Sequence, residues 1–165
     1  MSRALVLACG NSLRGDDGAG AQIAQALQIG LQDAGLEIHS QLQWTPELAE
    51  PISHAELVIF VDASACLSPG DIRVERITPQ DASANAGNMT HQCNPSRLLE
   101  LARLLYGKNP QRSFLVTIGG ASFEYFSELS EPVRRAVPHA VNRIRAFLSG
   151  VSFPCADSAA RVAGS

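Results

Sequence analysis

Two adjacent carboxylates sit in a glycine-rich stretch, Gly10-Asn11-Ser12-Leu13-Arg14-Gly15-Asp16-Asp17-Gly18-Ala19-Gly20. Glycines let a backbone turn tightly and admit a close ligand. The spacing matches neither the P-loop nor the GxGxxG dinucleotide loop, and two carboxylates would repel a phosphate. A cation is the better guest, unless one of the pair only caps the following helix, where the macrodipole favours negative charge. Adjacent residues at a helix start point about 100° apart, so Asp16 and Asp17 rarely serve one ligand. Asp62 ends the apolar run Glu56 to Val61, where a charge is costly to bury unless it is paired or metal-bound. It could equally accept amides of the next turn. His91 lies in the polar stretch Asn88-Met89-Thr90-His91-Gln92-Cys93; a lone loop histidine is usually just exposed. Two carboxylates and one imidazole at one sheet edge, with positions left open, would suit a divalent transition metal. His39, His54 and His139 follow neither a strand end nor a glycine loop.

The elements that must position these side chains alternate. Arg3 to Cys9 is a short apolar run ended by Gly-Asn and reads as a buried parallel strand. Ile23, Leu27 and Leu31 recur at helical spacing, predicting a helix to about Ala34. Leu36 to Trp44 reads as a second strand, and Thr45-Pro46 as the start of a short helix over Glu47 to Ile52. The strand ending at Asp62 follows, then a Pro69-Gly70 turn into Ile72 to Ile77. Thr78 to Cys93 is polar and aperiodic, a long loop of a kind that is often functional. Asn94-Pro95-Ser96 starts a leucine-rich helix stopped by Gly107. Ser113 to Ile118 is a buried strand, and Glu131 to Leu148 a last helix that Pro138 should kink or split. This alternation implies a single-domain α/β fold over residues 1–149, a mostly parallel twisted sheet with helices on both faces. Ligands in such sheets bind beyond the C-terminal strand ends. The Ser/Ala-rich stretch 150–165 is expected to be a mobile tail.

Composition narrows the function. The chain has 165 residues, 45% apolar and 18% charged, with formal net charge −3. Nothing electrostatic draws it to nucleic acid or to anionic lipid. Cys9, Cys66, Cys93 and Cys155 form no CxxC pair and read as free thiols. Val6-Leu7-Ala8-Cys9 imitates a lipoprotein box, but the apolar stretch before it is too short for a leader. With no membrane-length apolar run either, the expectation is a cytoplasmic protein without a membrane partner.

The order of these features resembles the hydrogenase maturation endopeptidases. Leu7 to Gly20 is similar to their GxGNxLxxDDGxG signature, with Ala8 where a glycine is common. The likeness continues through Val61-Asp62-Ala63, Pro69-Gly70, Thr90-His91 before a Pro-initiated helix, and Ile118-Gly119-Gly120 through Phe123 to Leu129-Ser130-Glu131-Pro132-Val133. It spans residues 3 to about 148. The resemblance implies a monomeric protease that removes the C-terminal extension of a [NiFe] hydrogenase large-subunit precursor. It also implies that Asp17, Asp62 and His91 are the metal-binding and catalytic trio, meeting nickel supplied by the precursor; other divalent metals could occupy the same set. Asp17 stands where some relatives carry the longer Glu, and Gln92-Cys93 departs from the apolar run expected after the histidine, leaving Cys93 as a possible added soft ligand. Two rival readings are a non-enzymatic metal-binding chaperone on the same fold and a peptidyl-tRNA hydrolase-like esterase, the latter at odds with the acidic charge.

Overall fold

In a computed structural model, which describes residues 3–79 and 93–150, the sheet is built from strands whose alternate residues enter two different cores. On β1 (Ala4–Cys9), Val6 and Ala8 face one side, and Leu5 and Leu7 the other. On β3 (Leu57–Ser64), Ile59 and Val61 face the first side, and Val58 and Phe60 the second. A strand buried on both faces has no polar alternation, which is why these runs read as continuously apolar. With β2 (Leu36–Gln41), β4 (Ile72–Arg76) and β5 (Arg112–Gly119), the sheet order is β2-β1-β3-β5-β4. All neighbours are parallel except the edge strand β4, which runs antiparallel to β5.

Helices α1 (Ala19–Gly30) and α4 (Glu131–Leu148) cover the first face through Ile23, Leu27, Val133 and Ile144. Helices α2 (Ala49–His54) and α3 (Pro95–Tyr106) cover the second through Ile52, Leu98 and Leu99. This is the expected single-domain α/β architecture. Among the described residues no helix is long and apolar enough to cross a membrane. His91, Cys155, most of the polar stretch after Thr78 and the stretch after Gly150 lie outside the described residues.

Several boundaries differ from the sequence reading, each for a local reason. Helix α1 stops at Gly30 rather than near Ala34, because the Asp33 carboxylate accepts the Gly35 N–H and the Asp33 carbonyl accepts from Leu36 N–H. That local turn competes with the helix. Strand β2 ends at Gln41, well before Trp44; Trp44 leaves the sheet and packs edge-on against Phe60. The segment at Thr45 opens as a 3-10 turn, Pro46–Leu48, before α2 begins. Strand β3 runs two residues past Asp62, since Asp62, Ala63 and Ser64 still pair with Thr117, Ile118 and Gly119 of β5.

Pro138 does not split α4, which is continuous over 18 residues. Pro138 is exposed, whereas Val133, Ala136, Ala140, Val141, Ile144 and Phe147 are buried against the sheet. Burial of that face outweighs the one missing N–H. A proline inside a helix costs about 3 kcal/mol relative to alanine, offset by less than about 1 kcal/mol of unfolded-state entropy. Pro138→Ala is therefore expected to raise unfolding free energy by about 2 kcal/mol, read by urea denaturation; an unchanged or lowered midpoint would refute this account of α4.

Candidate functional site

The site forms where β1 and β3 end side by side. Their pairing stops at Ala8–Val61, which leaves Cys9 and Asp62 next to each other just beyond it. Strand alternation puts both on the second face, with Leu7 and Phe60. From Cys9 the chain enters the glycine loop through Gly10, whose φ is +143°. A Cβ on Gly10 would collide with the Asp17 carbonyl oxygen and lie 3.3 Å from Asp17 Oδ1. Only glycine lets the loop fold back so that Asp17 lies over the end of β1. The Asn11 N–H donates to Asp17 Oδ2 at 2.8 Å, and the Ala63 N–H to Asp62 Oδ1 at 2.8 Å.

Asp16 and Asp17 share the 3-10 turn Gly15–Gly18 but do different things. Asp16 is fully buried. Its Oδ2 accepts the Ala121 and Ser122 N–H groups at 2.7 and 3.0 Å and the Ser130 hydroxyl at 2.8 Å. Its Oδ1 accepts the Ser130 N–H at 2.7 Å. Burial opposes ionisation, but these four bonds outweigh it and hold the carboxyl below its ordinary range. Asp17 is only partly buried and stands on the side of Cys9 and Asp62.

The electrostatics of the trio Cys9, Asp17 and Asp62 are one-sided. Burial pushes the Asp62 carboxyl up to about 6; its bond from Ala63 N–H opposes this, the Asp17 charge adds to it, and a bond from the Trp44 side chain opposes it. Burial, then the charges of Asp62 and Asp17, push the Cys9 thiol up to about 12, against a bond from the Trp44 backbone. Among the described residues, no cation is among the groups acting on either. A carboxylate charge acting on a second carboxylate in a buried setting raises the cost of ionising it. Cys9 stays a neutral thiol and is unsuited to act as a nucleophile, which needs the thiolate. Among the described residues no three His, Cys, Asp or Glu side chains are grouped to hold a metal ion; His91 lies outside them.

Sequence reading passed over Trp44 and Cys9. Trp44 is the sole tryptophan, and its ring meets that of Phe60 at 5.5 Å and 79°. Nothing in the polar run around it signals a return to the sheet. Around the glycine loop, Leu13, Tyr125 and Phe126 are exposed at 57%, 63% and 87%. The Phe126 N–H donates to the Leu13 carbonyl at 2.7 Å, and Phe126 takes a left-handed φ of 61°.

Two substitutions separate clamp from site. In Asp16→Asn an amide NH2 faces backbone donors and leaves at least one buried N–H unpaired, a loss of about 2–4 kcal/mol. Asp62→Asn has the opposite sign. A carboxyl that titrates at about 6 when folded, against an ordinary 3.8, destabilises the fold once ionised. The penalty is absent below about pH 4, grows to about pH 6 and is complete above it. The variant should be about 2 kcal/mol more stable than the parent above about pH 7, and the gain should vanish near pH 4. Chemical denaturation at both pH values checks this; a destabilised Asp62→Asn at neutral pH contradicts it.

No protein-family model and no curated protein sequence matches the chain. Solved structures do. Hydrogenase maturating endopeptidase HybD from E. coli superposes with TM-score 0.71 and 25% identity, over 90% of this chain and 93% of that one. An endopeptidase from Escherichia coli, solved in solution, matches with TM-score 0.70 and 26% identity, over 94% and 99%. Hydrogenase 2 maturation peptidase from Thaumarchaeota archaeon SCGC_AB-539-E09 matches with TM-score 0.67 and 25% identity, over 92% and 100%. Over nine-tenths of the chain, the fold with its Gly-Asn loop, which carries one aspartate inward and one toward the strand ends, is similar to that of hydrogenase maturation endopeptidases.

Proposed function

We propose that the chain is an endopeptidase that removes the C-terminal extension of a nickel-loaded [NiFe] hydrogenase large-subunit precursor. The observation that carries this reading is the pair Asp17 and Asp62, close enough at the C-terminal strand ends for the Asp17 charge to act on Asp62, with no cation among the described residues acting on Asp62. The pair is spare. Asp17 Oδ2 and Asp62 Oδ1 already accept backbone N–H bonds, which orient each carboxylate. Two carboxylates and the His91 imidazole would hold a divalent ion only modestly, because closed metal sites have four ligands and often thiolates. An ion already held by the precursor would supply the remaining ligands, so tight binding would require a loaded precursor. His91 precedes Cys93 by two residues, and Cys93 packs against the apolar cluster that contains Phe60. The exposed Leu13, Tyr125 and Phe126 offer apolar contact to an arriving peptide.

In this reading the enzyme's own residues chiefly bind and orient. Asp17 and Asp62 accept the cargo ion as anions, and His91 adds a neutral nitrogen. Burial of Asp62 keeps water from screening that attraction. Cys9, as a neutral buried thiol, does not serve as the nucleophile.

The direct test incubates the purified protein with matched precursors, nickel-loaded and nickel-free, and follows the C-terminal fragment. Only the loaded precursor should be cut. Asp17→Asn and His91→Ala should each slow processing by more than about a hundredfold, beyond what an outer-shell partner costs, with folding retained by circular dichroism. Equal cleavage of both precursors would leave an ordinary sequence-specific peptidase; ion binding without cleavage would favour a metal-binding chaperone.

A further inference from the structure

The glycine loop and the loop after β5 are fastened to each other on both sides of Arg14. On one side the Phe126 N–H donates to the Leu13 carbonyl at 2.7 Å. On the other, Gly15 takes a φ of +53°, and a Cβ there would lie 2.6 Å from Ser127 Oγ and 2.7 Å from the Ser122 carbonyl oxygen. The Asp16 N–H donates to that same Ser122 carbonyl at 2.9 Å. Leu13, Gly15 and Asp16 are thus seated against residues 122–127, and Arg14 between them has little choice of direction. Its guanidinium lies 5.2 Å from the centre of the Tyr125 ring.

Stacking uses the face of a guanidinium and leaves its edge free to donate. Among the described residues the Arg14 Nε is buried without a hydrogen-bond partner, and no carboxylate pairs with the guanidinium. The neighbouring acids are engaged elsewhere or point to solvent: Asp16 is held by backbone and Ser130, Glu128 and Glu131 pair with Arg134, and Glu124 is exposed. What remains to Arg14 is its two terminal nitrogens, an end-on fork of the kind that takes a carboxylate. Around the fork the surface is apolar, since Leu13, Tyr125 and Phe126 are each more than half exposed. Phe126 sits at φ 61°, where glycine would be easier, so its ring gains nothing for the fold by standing in water. The rim also adjoins the candidate site. The Asp17 N–H donates to the Arg14 carbonyl at 3.1 Å, and a turn closed in this way keeps its end Cα atoms within about 7 Å. An extended peptide covers about 3.3 Å per residue, so a chain passing Asp17 reaches the fork within a few residues.

We infer that Leu13, Arg14, Tyr125 and Phe126 form a docking rim for the precursor's peptide, taking an apolar side chain against Leu13 and the two rings and a neighbouring carboxylate on Arg14. The inference rests on the proposed reading that a precursor comes to Asp17 and Asp62. It adds the chemistry which that reading leaves open: an acidic residue beside an apolar one, a few residues from the segment that meets the aspartates. The occupant is a peptide rather than a second copy of this chain, because a twofold contact across so small a rim would set two Arg14 charges against each other.

The test measures binding and cleavage of the nickel-loaded precursor separately. Arg14→Gln keeps a planar group against Tyr125 and removes the charge. It should raise both the Kd, read by interferometry, and the KM by about tenfold at unchanged kcat, the effect of losing one charge-assisted pair. Phe126→Gly removes the ring at a position whose backbone angle suits glycine. It should weaken binding by about tenfold without lowering the thermal midpoint, whereas a purely structural ring would lower it. Acidic residues in and beside the precursor's C-terminal extension are then changed singly to their amides. One of these changes should cost the parent about tenfold in Kd and cost Arg14→Gln nothing. Parental binding by both variants, or no acidic position coupled to Arg14, would overturn the inference. So would a dimer in sedimentation that Phe126→Gly dissociates while precursor binding is unchanged, which would assign the rim to a second copy. A precursor bound through the rim but left uncut, or cut alike with and without nickel, would defeat the protease reading and leave the rim standing. A parent that does not bind the precursor would defeat both.

Discussion

One buried carboxylate ties the active edge of this molecule together. Asp16 comes from the loop after β1, and its four hydrogen bonds come from three residues, Ala121 and Ser122 just after β5 and Ser130, which opens α4. The Ser130 hydroxyl turns to Asp16 rather than capping α4. An ionised carboxylate satisfied by backbone N–H groups is among the strong hydrogen-bonding arrangements. It joins segments more than a hundred residues apart. Because residues 16 and 17 share one 3-10 turn, anchoring the first also sets the direction of the second. The inward aspartate is thus the mechanical ground on which the outward one stands.

The outward pair carries the opposite economy. Asp17 and Asp62 repel, and burial raises the cost of ionising Asp62. A fold does not gain from such a pair. It is tolerated because the surrounding sheet is rigid: β1, β3 and β5 are central, and their residues enter two packed layers. Stored electrostatic cost of this kind is what a passing cation would relieve, and it is a feature of sites rather than of cores. Burial first, and then the same charges, keep Cys9 protonated, so the thiol beside the pair is inert.

The rim has a second departure from local ease. Phe126 holds a left-handed backbone angle and exposes its ring, while its N–H is fixed to Leu13 of the glycine loop. The Arg14 guanidinium lies 5.2 Å from the centre of the neighbouring Tyr125 ring. Strain and exposure of this sort persist only where surrounding structure over-determines them. Here the Asp16 clamp does so, by binding both Ala121–Ser122 and Ser130 on either side of the aromatic pair.

Sequence by itself determined the alternation of strands and helices, because strands buried on both faces must be apolar throughout and amphipathic helices must repeat near 3.6 residues. It determined α3 and α4 closely, since Asn94 caps one helix, Gly107 ends it, and proline stands in the first turn of both. It also marked Asp16, Asp17 and Asp62 as the carboxylates to watch, and helical geometry requires the first two to point apart, while the choice of Asp17 as the outward one came from the family resemblance. Tertiary structure decided what no local rule contains. Strand order and the β1–β3 register set Cys9 beside Asp62. The return of Trp44 to Phe60 required knowing that β2 lies beyond β1. The partners of Asp16 lie more than a hundred residues away. Propensity and periodicity act within a turn or two of chain, whereas a charge's neighbours are chosen by packing, and packing is a property of the whole fold.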